Sequence, residues 1–417
     1  MALVQTGINP ASGMGDIIMK FAKFLAITLA AALLPLAGAS AQTIKIGFIT
    51  SYTGQNASVG AMMDQAVKLW MKQNEKSLPA GVKVEIITRD DTGPNPEVAK
   101  RLATELVTRD KVDFLSGVIW TPNAAAIAPI AGEAKVPFVI MNAGTSGIIP
   151  AGGAPYVTRV SFTLWQSSLP LGQWAAKNNL KKVFVAVSDF GPGIDAQNAF
   201  TKGFTDGGGT VVEAVRMPLA TQDFAPFFQK AKDAKPDAVF VFIPAGVQAT
   251  GVMKAYSDLG LAQAGIKLIG PGDITTDEEL PNMGDFALGA TTMFHYSAAG
   301  KRPANEAFIK AWQAEYGAQS WPAFPAVATW DGMAAIFDAI KAQNGKMDNA
   351  KSDAFLRNWK TANSPRGPIS IDPETGDIVQ NEYLRRVEKV NGVLANVEVE
   401  TFATAVKDPW KILNPKK

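Results

Sequence analysis

Apolar, β-branched runs alternate with helical stretches from Ile44 onward, and after Pro155 the whole pattern starts again. In the first block, residues 44–50 (IKIGFIT), 82–89, 114–119 and 136–141 read as strands. Residues 61–74, 95–109 and an Ala-rich stretch ending near Ala134 read as helices. In the second block, 156–161 is extended, and 182–188, 210–216, 237–243 and 267–269 read as strands. Residues 163–178, 194–205, 224–234 and 247–259 are its helices. Alternation of this kind builds parallel sheets covered by helices on both faces. The expected fold class is α/β, with two lobes.

Residues 289–297 are an extended return. Helical stretches at 305–316, 325–344 and 352–361 follow with no strand between them, so they need a sheet face to cover, and the first lobe is expected to supply it. Strands at 369–371, 382–390 and 393–402 are expected in the second lobe. The chain would then pass between lobes three times, near Arg159, Thr292 and Pro365. Lobe 1 comprises 42–160 and 293–364, and lobe 2 comprises 161–292 and 365–417. Three crossings make a hinge, and hinged lobes close around ligands.

The N-terminus carries a targeting pattern. Lys20 and Lys23 precede the apolar stretch 24–36, and Ala39-Ser40-Ala41 is a cleavage signal. Gln42 is the expected mature start, and Met19 suits the true initiator because 1–18 fits none of these regions. The apolar stretch is too short to span a bilayer. An exported, periplasmic protein that does not span the membrane after cleavage is expected.

Composition narrows the chemistry. The absence of Cys in 417 residues removes disulfides, thiolate catalysis and Cys-based metal sites. A single His, His295, removes a His-based zinc site and leaves a Ser-His-Asp triad one candidate base, in an extended apolar run that suits a packed or hinge residue. Gly144-Thr145-Ser146-Gly147 has the wrong spacing for a nucleophile elbow, and no P-loop or Rossmann fingerprint is present. Forty basic and 38 acidic residues give a net charge of +2 without a basic stripe, so nucleic acid is not an expected partner. Neither catalysis nor a cofactor or metal is expected. Asp90-Asp91 is read as a cap for the helix at 95–109, the alternative being a solvated pair.

Binding is better supported. The strands at 114–119 and 136–141 both end in small polar loops, Thr121-Pro122-Asn123 and Asn142-Ala143-Gly144-Thr145-Ser146-Gly147. In open α/β sheets such loops face the ligand crevice, and helix starts beside Thr121 and Thr145 suit an anion such as a carboxylate. Tyr52, Trp120, Phe162, Trp165 and Phe190 fall at strand ends or lobe crossings, which makes an aromatic-lined pocket the expectation.

Taken in order, IKIGFITSYTGQNASVG, FLSGVIWTPNAAAIAPIA, VPFVIMNAGTSG, YVTRVSFTLWQ, VFVAVSDFGPG and IDPETGDIVQNEYLRRVEK resemble the type I periplasmic solute-binding proteins of ABC importers, Leu/Ile/Val-binding family. The resemblance covers essentially the whole mature chain. It implies two Rossmann-like lobes joined by a three-strand hinge (periplasmic binding protein-like I), a ligand enclosed in the cleft, and delivery to permease subunits of an ABC importer. It implies that Thr121, Ala143, Gly144 and Thr145 grip a ligand carboxylate and that Phe190 stacks on the ligand. Amino-acid binders of the family place an acid in the loop after the strand at 237–243. Here that loop is Pro244-Ala245-Gly246-Val247-Gln248, without one, and Asp273 lies one strand later. Trp120 is bulky where amino-acid binders tend to be small. These departures resemble the subgroup that binds aromatic acids of the benzoate, hydroxycinnamate or phenylpyruvate type.

A flat aromatic carboxylate needs donors at one end, rings along its faces and a polar group for a ring hydroxyl. Thr121 and 143–145 would supply the first, and Trp120, Phe190 and Trp165 or Tyr52 the second. Asp273, Gln248 or Asn142, with Gly246 in the same loop as Gln248, would supply the third. Arg159 would pair with the carboxylate or be structural. A small-molecule carboxylate ligand and a monomer are expected. The alternatives are a branched-chain or other hydrophobic amino-acid binder, an exported hydrolase, and a sensing domain acting through a separate partner chain.

Overall fold

A computed structural model describes residues 1–7 and 42–416. The expected signal peptide and its cleavage site lie outside the described residues. Residues 1–7 carry no regular secondary structure.

From residue 43 on, the chain builds two sheets. The first orders its strands β2-β1-β3-β4-β5, with β1 Gln42–Thr50, β2 Val82–Asp90, β3 Phe114–Gly117, β4 Phe138–Ile140 and β5 Val157–Arg159. The pairings β1–β3, β3–β4 and β4–β5 are parallel. The second sheet holds nine strands: β6 Lys182–Ser188, β7 Thr210–Met217, β8 Ala238–Phe242, β9 Lys267–Pro271, β10 Thr291–Phe294, β11 Lys360–Thr361, β12 Ile369–Ile371, β13 Ile378–Val390 and β14 Val393–Val406. Its order is β11-β12-β13-β10-β9-β8-β6-β7, with β14 on β13. The run β7-β6-β8-β9-β10 is parallel, and β13 joins β10 antiparallel. This is the two-lobed α/β architecture that the alternation dictates: strands apolar on both faces end up buried on both faces.

Helices Pro303–Tyr316, Phe324–Ala342 and Asn349–Arg357 cover the first sheet. Trp70, on helix Ala57–Asn74, meets Trp330 and Phe337 edge to face at 4.7 and 5.7 Å between ring centroids. Tyr316 Oη donates to Gln65 O at 2.7 Å. The chain leaves the first sheet after β5, returns after β10 and leaves again after Arg357.

One buried side chain ties these crossings together. Arg366 donates to Val160 O at 2.5 Å, to Ser161 O at 2.7 Å and to Gln380 Oε1 at 2.8 Å, and its Nε reaches Asp331 Oδ2 at 2.9 Å. It thus joins the first crossing to the third, with one partner on a helix of the first lobe and one on a strand of the second. At the middle crossing His295 stacks on Phe162 of the first, 5.3 Å apart and 23° from parallel. Burial depresses the His295 pKa, which suits a neutral packed ring.

Several details depart from expectation. Asp90 and Asp91 do not cap a helix: Asn95 caps the helix Pro96–Glu105 by accepting from Val98 N. The two acids instead bind loops, as the site below makes plain. The strand expected to run to Ile119 stops at Gly117, which has φ +94°, and Val118 follows at φ +69°. A β-branched residue in the left-handed region costs on the order of 1–3 kcal/mol. That kink throws Ile119 and Trp120 out of the sheet toward the second lobe. The closing hairpin is longer than expected, from Ile378 to Val406, with register shifts at 380–385.

Candidate ligand site

The site begins with Trp120. Its indole Nε1 donates to Ser51 Oγ at 3.0 Å, and Ser51 Oγ donates to Asp91 Oδ1 at 2.6 Å. Asp91 Oδ2 also accepts from Asn123 Nδ2 at 2.8 Å. The loops after β1, β2 and β3 are therefore fastened around one buried carboxylate. Burial is the main influence on its pKa and raises it, against these hydrogen bonds. Asp90 secures the neighbouring loop by accepting from Tyr52 N and from Thr53 Oγ1. The network holds the indole in place beside the second lobe.

Phe190 answers from that lobe. It precedes the helix Gly191–Asp206, and its ring meets Trp120 edge to face at 6.3 Å and 61°. Phe242, at the end of β8, stacks behind it at 6.1 Å and 28°. Phe162 and Phe324, 5.3 Å apart, close the hinge side. The resulting cavity is aromatic on several sides, with Thr121, Asn142 and Asp273 as polar lining.

The polar end is built at two helix starts. Thr121 opens the helix Thr121–Ala134, whose first N–H groups lack intrahelical acceptors. Its Oγ1 lies 3.2 Å from Thr145 Oγ1, in the loop after β4. Arg159 fixes that loop from below: its Nη1 donates to Ala143 O at 3.0 Å and Thr145 O at 2.7 Å, while its Nε bonds Asp377 Oδ1 at 2.6 Å. Arg159 thus shapes the cradle from underneath and does not reach into the cavity. Across the cleft, Gly191 allows the second lobe to press on the threonines, since a Cβ there would stand 2.9 Å from Thr145 Oγ1.

Two hydrogen bonds draw the lobes together. Ser146 N donates to Asp195 Oδ2 at 2.8 Å, and Asn56 Nδ2 donates to Ala245 O at 2.9 Å. With the lobes so placed, the cavity holds about 40 Å³, far short of the roughly 150 Å³ cavity that takes a benzene-sized ring. A ring enters only when the lobes part.

Of the residues singled out in the sequence, Trp120, Thr121, Asn142, Gly144, Phe190 and Asp273 line this cavity, and Thr145 touches it through Thr121. Ala143 is one step removed, with its N–H on Val118 O at 3.1 Å. Tyr52 is turned away, its hydroxyl on Asp64 Oδ1 at 3.0 Å. Trp165 is buried in the first turn of its helix, outside the lining. Gln248 is committed elsewhere, since its Nε2 donates to Leu219 O and Thr221 O. Gly246, at φ +113°, turns the chain beside Asn56 without lining the cavity. Sequence reasoning did not anticipate Asn56, Phe242, Pro244 or Phe324 as lining residues. For Asn56, Phe242 and Pro244 the available signal is their position at or after the ends of β1 and β8, which open on the same cleft, whereas Phe324 starts a helix of the first lobe with no such signal.

A two-lobed α/β protein with a hinge of crossing strands and a ligand cavity between the lobes is a solute-binding protein in class. Residues 43–392 match the family described as periplasmic binding protein, and the chain belongs to that family. Members bind small molecules and work with ABC importers. A Leu/Ile/Val-binding protein homolog 6 of Brucella melitensis is 42% identical over 382 residues, 91% of this chain and 97% of that one. A solute-binding protein of an ABC transporter from Rhodopseudomonas palustris BisB5, solved with 3,4-dihydroxybenzoic acid, is 49% identical, with a TM-score of 0.84 over 89% of this chain and 99% of its own. Another from R. palustris, solved with 4-hydroxybenzoate, is 43% identical at a TM-score of 0.84, covering 89% and 100%.

Proposed function

We propose that this protein captures an aromatic carboxylate of the hydroxybenzoate type in its interlobe cleft and delivers it to the permease of an ABC importer. The observation that carries this reading is the Trp120–Phe190 pair beside the two threonine hydroxyls. Rings from both lobes face a cavity whose anion-binding end holds hydroxyls and helix N-termini, and the 244–248 loop offers no acid for an ammonium group. Thr121 and Thr145 with the Gly144 backbone hold the carboxylate, and Trp120 and Phe190 flank the ring. The solved relatives that hold dihydroxy- and hydroxybenzoate support the same reading.

Capture takes place in the periplasm, after removal of the segment before Gln42, and the protein acts as a monomer. The lobes turn about three crossings, with 42–160 and 293–364 on one side and 161–292 and 365–417 on the other. Entry of the ligand replaces cleft water with aromatic contact, and closing restores the Ser146–Asp195 and Asn56–Ala245 bonds. The shape so formed is what a permease reads.

Leucine-type ligands are the second reading, favoured by the name of the Brucella relative. A thermal-shift comparison of benzoates with branched-chain amino acids separates the two. A ligand at about 100 times its Kd adds roughly 2.7 kcal/mol of stability. Stabilisation by amino acids and not by benzoates overturns the aromatic reading.

A further inference from the structure

We propose that Asp273 selects for a hydroxyl on the ring, at the end remote from the carboxylate, by bonding it through its buried, unpartnered carboxyl. This rests on the aromatic-acid reading of the same cleft. Asp273 follows β9, is 4% exposed and lines the cavity. Its Oδ2 has no hydrogen-bond partner among the described residues, a costly state for a buried polar atom unless a ligand completes it.

Its position fits the far end of a ring. The threonine pair faces the helix start after β6, at Gly191. In the sheet, β8 separates β6 from β9, so the loop bearing Asp273 lies two strand spacings away, roughly 10 Å. That span suits a para-substituted ring with one hydrogen bond at each end. The other side chains expected to meet a hydroxyl are poorly placed for it. Gln248 is committed to two carbonyls, and Asn142 belongs to the loop that carries Thr145, at the carboxylate end.

The charge state also fits. Burial pushes the Asp273 pKa up to about 7, with Arg385 the charged group that opposes the rise. Arg385 is already engaged by Thr292 Oγ1, Tyr296 O and Thr275 Oγ1. A neutral carboxyl both donates to and accepts from a phenol, and it does not repel the anion that the ligand brings into the cleft.

The test compares benzoate, 4-hydroxybenzoate and 4-methoxybenzoate by calorimetry at pH 6, on the full protein and on Asp273→Asn and Asp273→Ala. Wild type should prefer 4-hydroxybenzoate to benzoate by about tenfold or more and should disfavour the methoxy compound. Asp273→Asn, which keeps a neutral donor and acceptor, should hold the preference within about threefold. Asp273→Ala should bring the two Kd values together. Survival of the preference in Asp273→Ala, or its absence in wild type, overturns the proposal and leaves the aromatic reading standing. Failure of every aromatic acid to bind wild type overturns both. Should Asp273→Ala not fold, the methoxy comparison on wild type decides: equal binding of the hydroxy and methoxy compounds overturns the proposal.

Discussion

Trp120 and Phe190 meet edge to face with ring centroids 6.3 Å apart, and each is contributed by a different lobe. The contact exists only when the lobes approach, so these rings report on closure as well as on ligand. Trp120 is pinned through Ser51 to Asp91, whereas Phe190 is half-buried at the start of its helix. The first lobe offers a fixed wall, and the second brings the ring that completes the pocket.

Phe190→Ala should therefore weaken binding of a hydroxybenzoate while changing the free protein little. An aromatic contact contributes about 0.5–1.5 kcal/mol beyond area burial, and with the lost area a tenfold to roughly hundredfold rise in Kd is expected. Calorimetric titration alongside melting of the free protein checks this. An unchanged Kd would remove Phe190 from the site.

Thr121→Val and Thr145→Val keep the shape and remove one hydroxyl each. A hydrogen bond to a charged group contributes about 1.5–3 kcal/mol, so each variant should lose about tenfold or more in affinity for any carboxylate ligand. The loss should be the same for benzoate and 4-hydroxybenzoate, because the hydroxyls meet the shared end.

Asn56→Ala removes one of the two bonds that draw the lobes together. Its effect should appear in release: stopped-flow tryptophan fluorescence should show a faster koff with kon nearly unchanged. A change confined to kon would mean that the bond is already formed in the transition state for binding, and would contradict this role.

Arg366→Met leaves Asp331 buried and unpaired at the hinge and should destabilise the fold by about 3–5 kcal/mol. Adding Asp331→Leu should recover much of that loss. Chemical denaturation of the two variants tests whether the knot at the crossings works as a charge pair or only as packing.

Asp273 links stability to pH. Burial pushes its folded pKa up to about 7, well above the usual carboxylate range. The proton-bound form is the one the fold favours, so the stability this group contributes is present below about pH 4 and is lost as pH rises through 7. Asp273→Asn should thus gain on wild type between pH 5 and 8, by about 3 kcal/mol, since roughly two pH units of the difference fall in this window at 1.36 kcal/mol per unit. Melting curves across that range decide it, and a gap that narrows with rising pH contradicts the burial argument.

The lobes and the polar loops were legible because buried strand runs and small polar turns are local patterns. Thr121 and Phe190 followed from standing just past strand ends. What stayed hidden depends on register between distant segments. Asp91 looked like a cap because its partners, Ser51 and Asn123, sit 40 and 32 residues away. Gln248 looked available until the fold set it against Leu219 and Thr221. Tyr52 shares a loop with the site, but its side chain points at Asp64. The aromatic floor of Phe162, Phe294 and Phe324 around His295 exists only once crossings far apart in sequence are brought side by side.

The central claim is that the cleft is built for a ring with a carboxylate at one end. Calorimetry of 4-hydroxybenzoate and leucine against the same protein, in one buffer at pH 7, tests it most directly. Saturable one-to-one binding of 4-hydroxybenzoate with no heat from leucine is the predicted result, and tight leucine binding with a silent 4-hydroxybenzoate titration would contradict it.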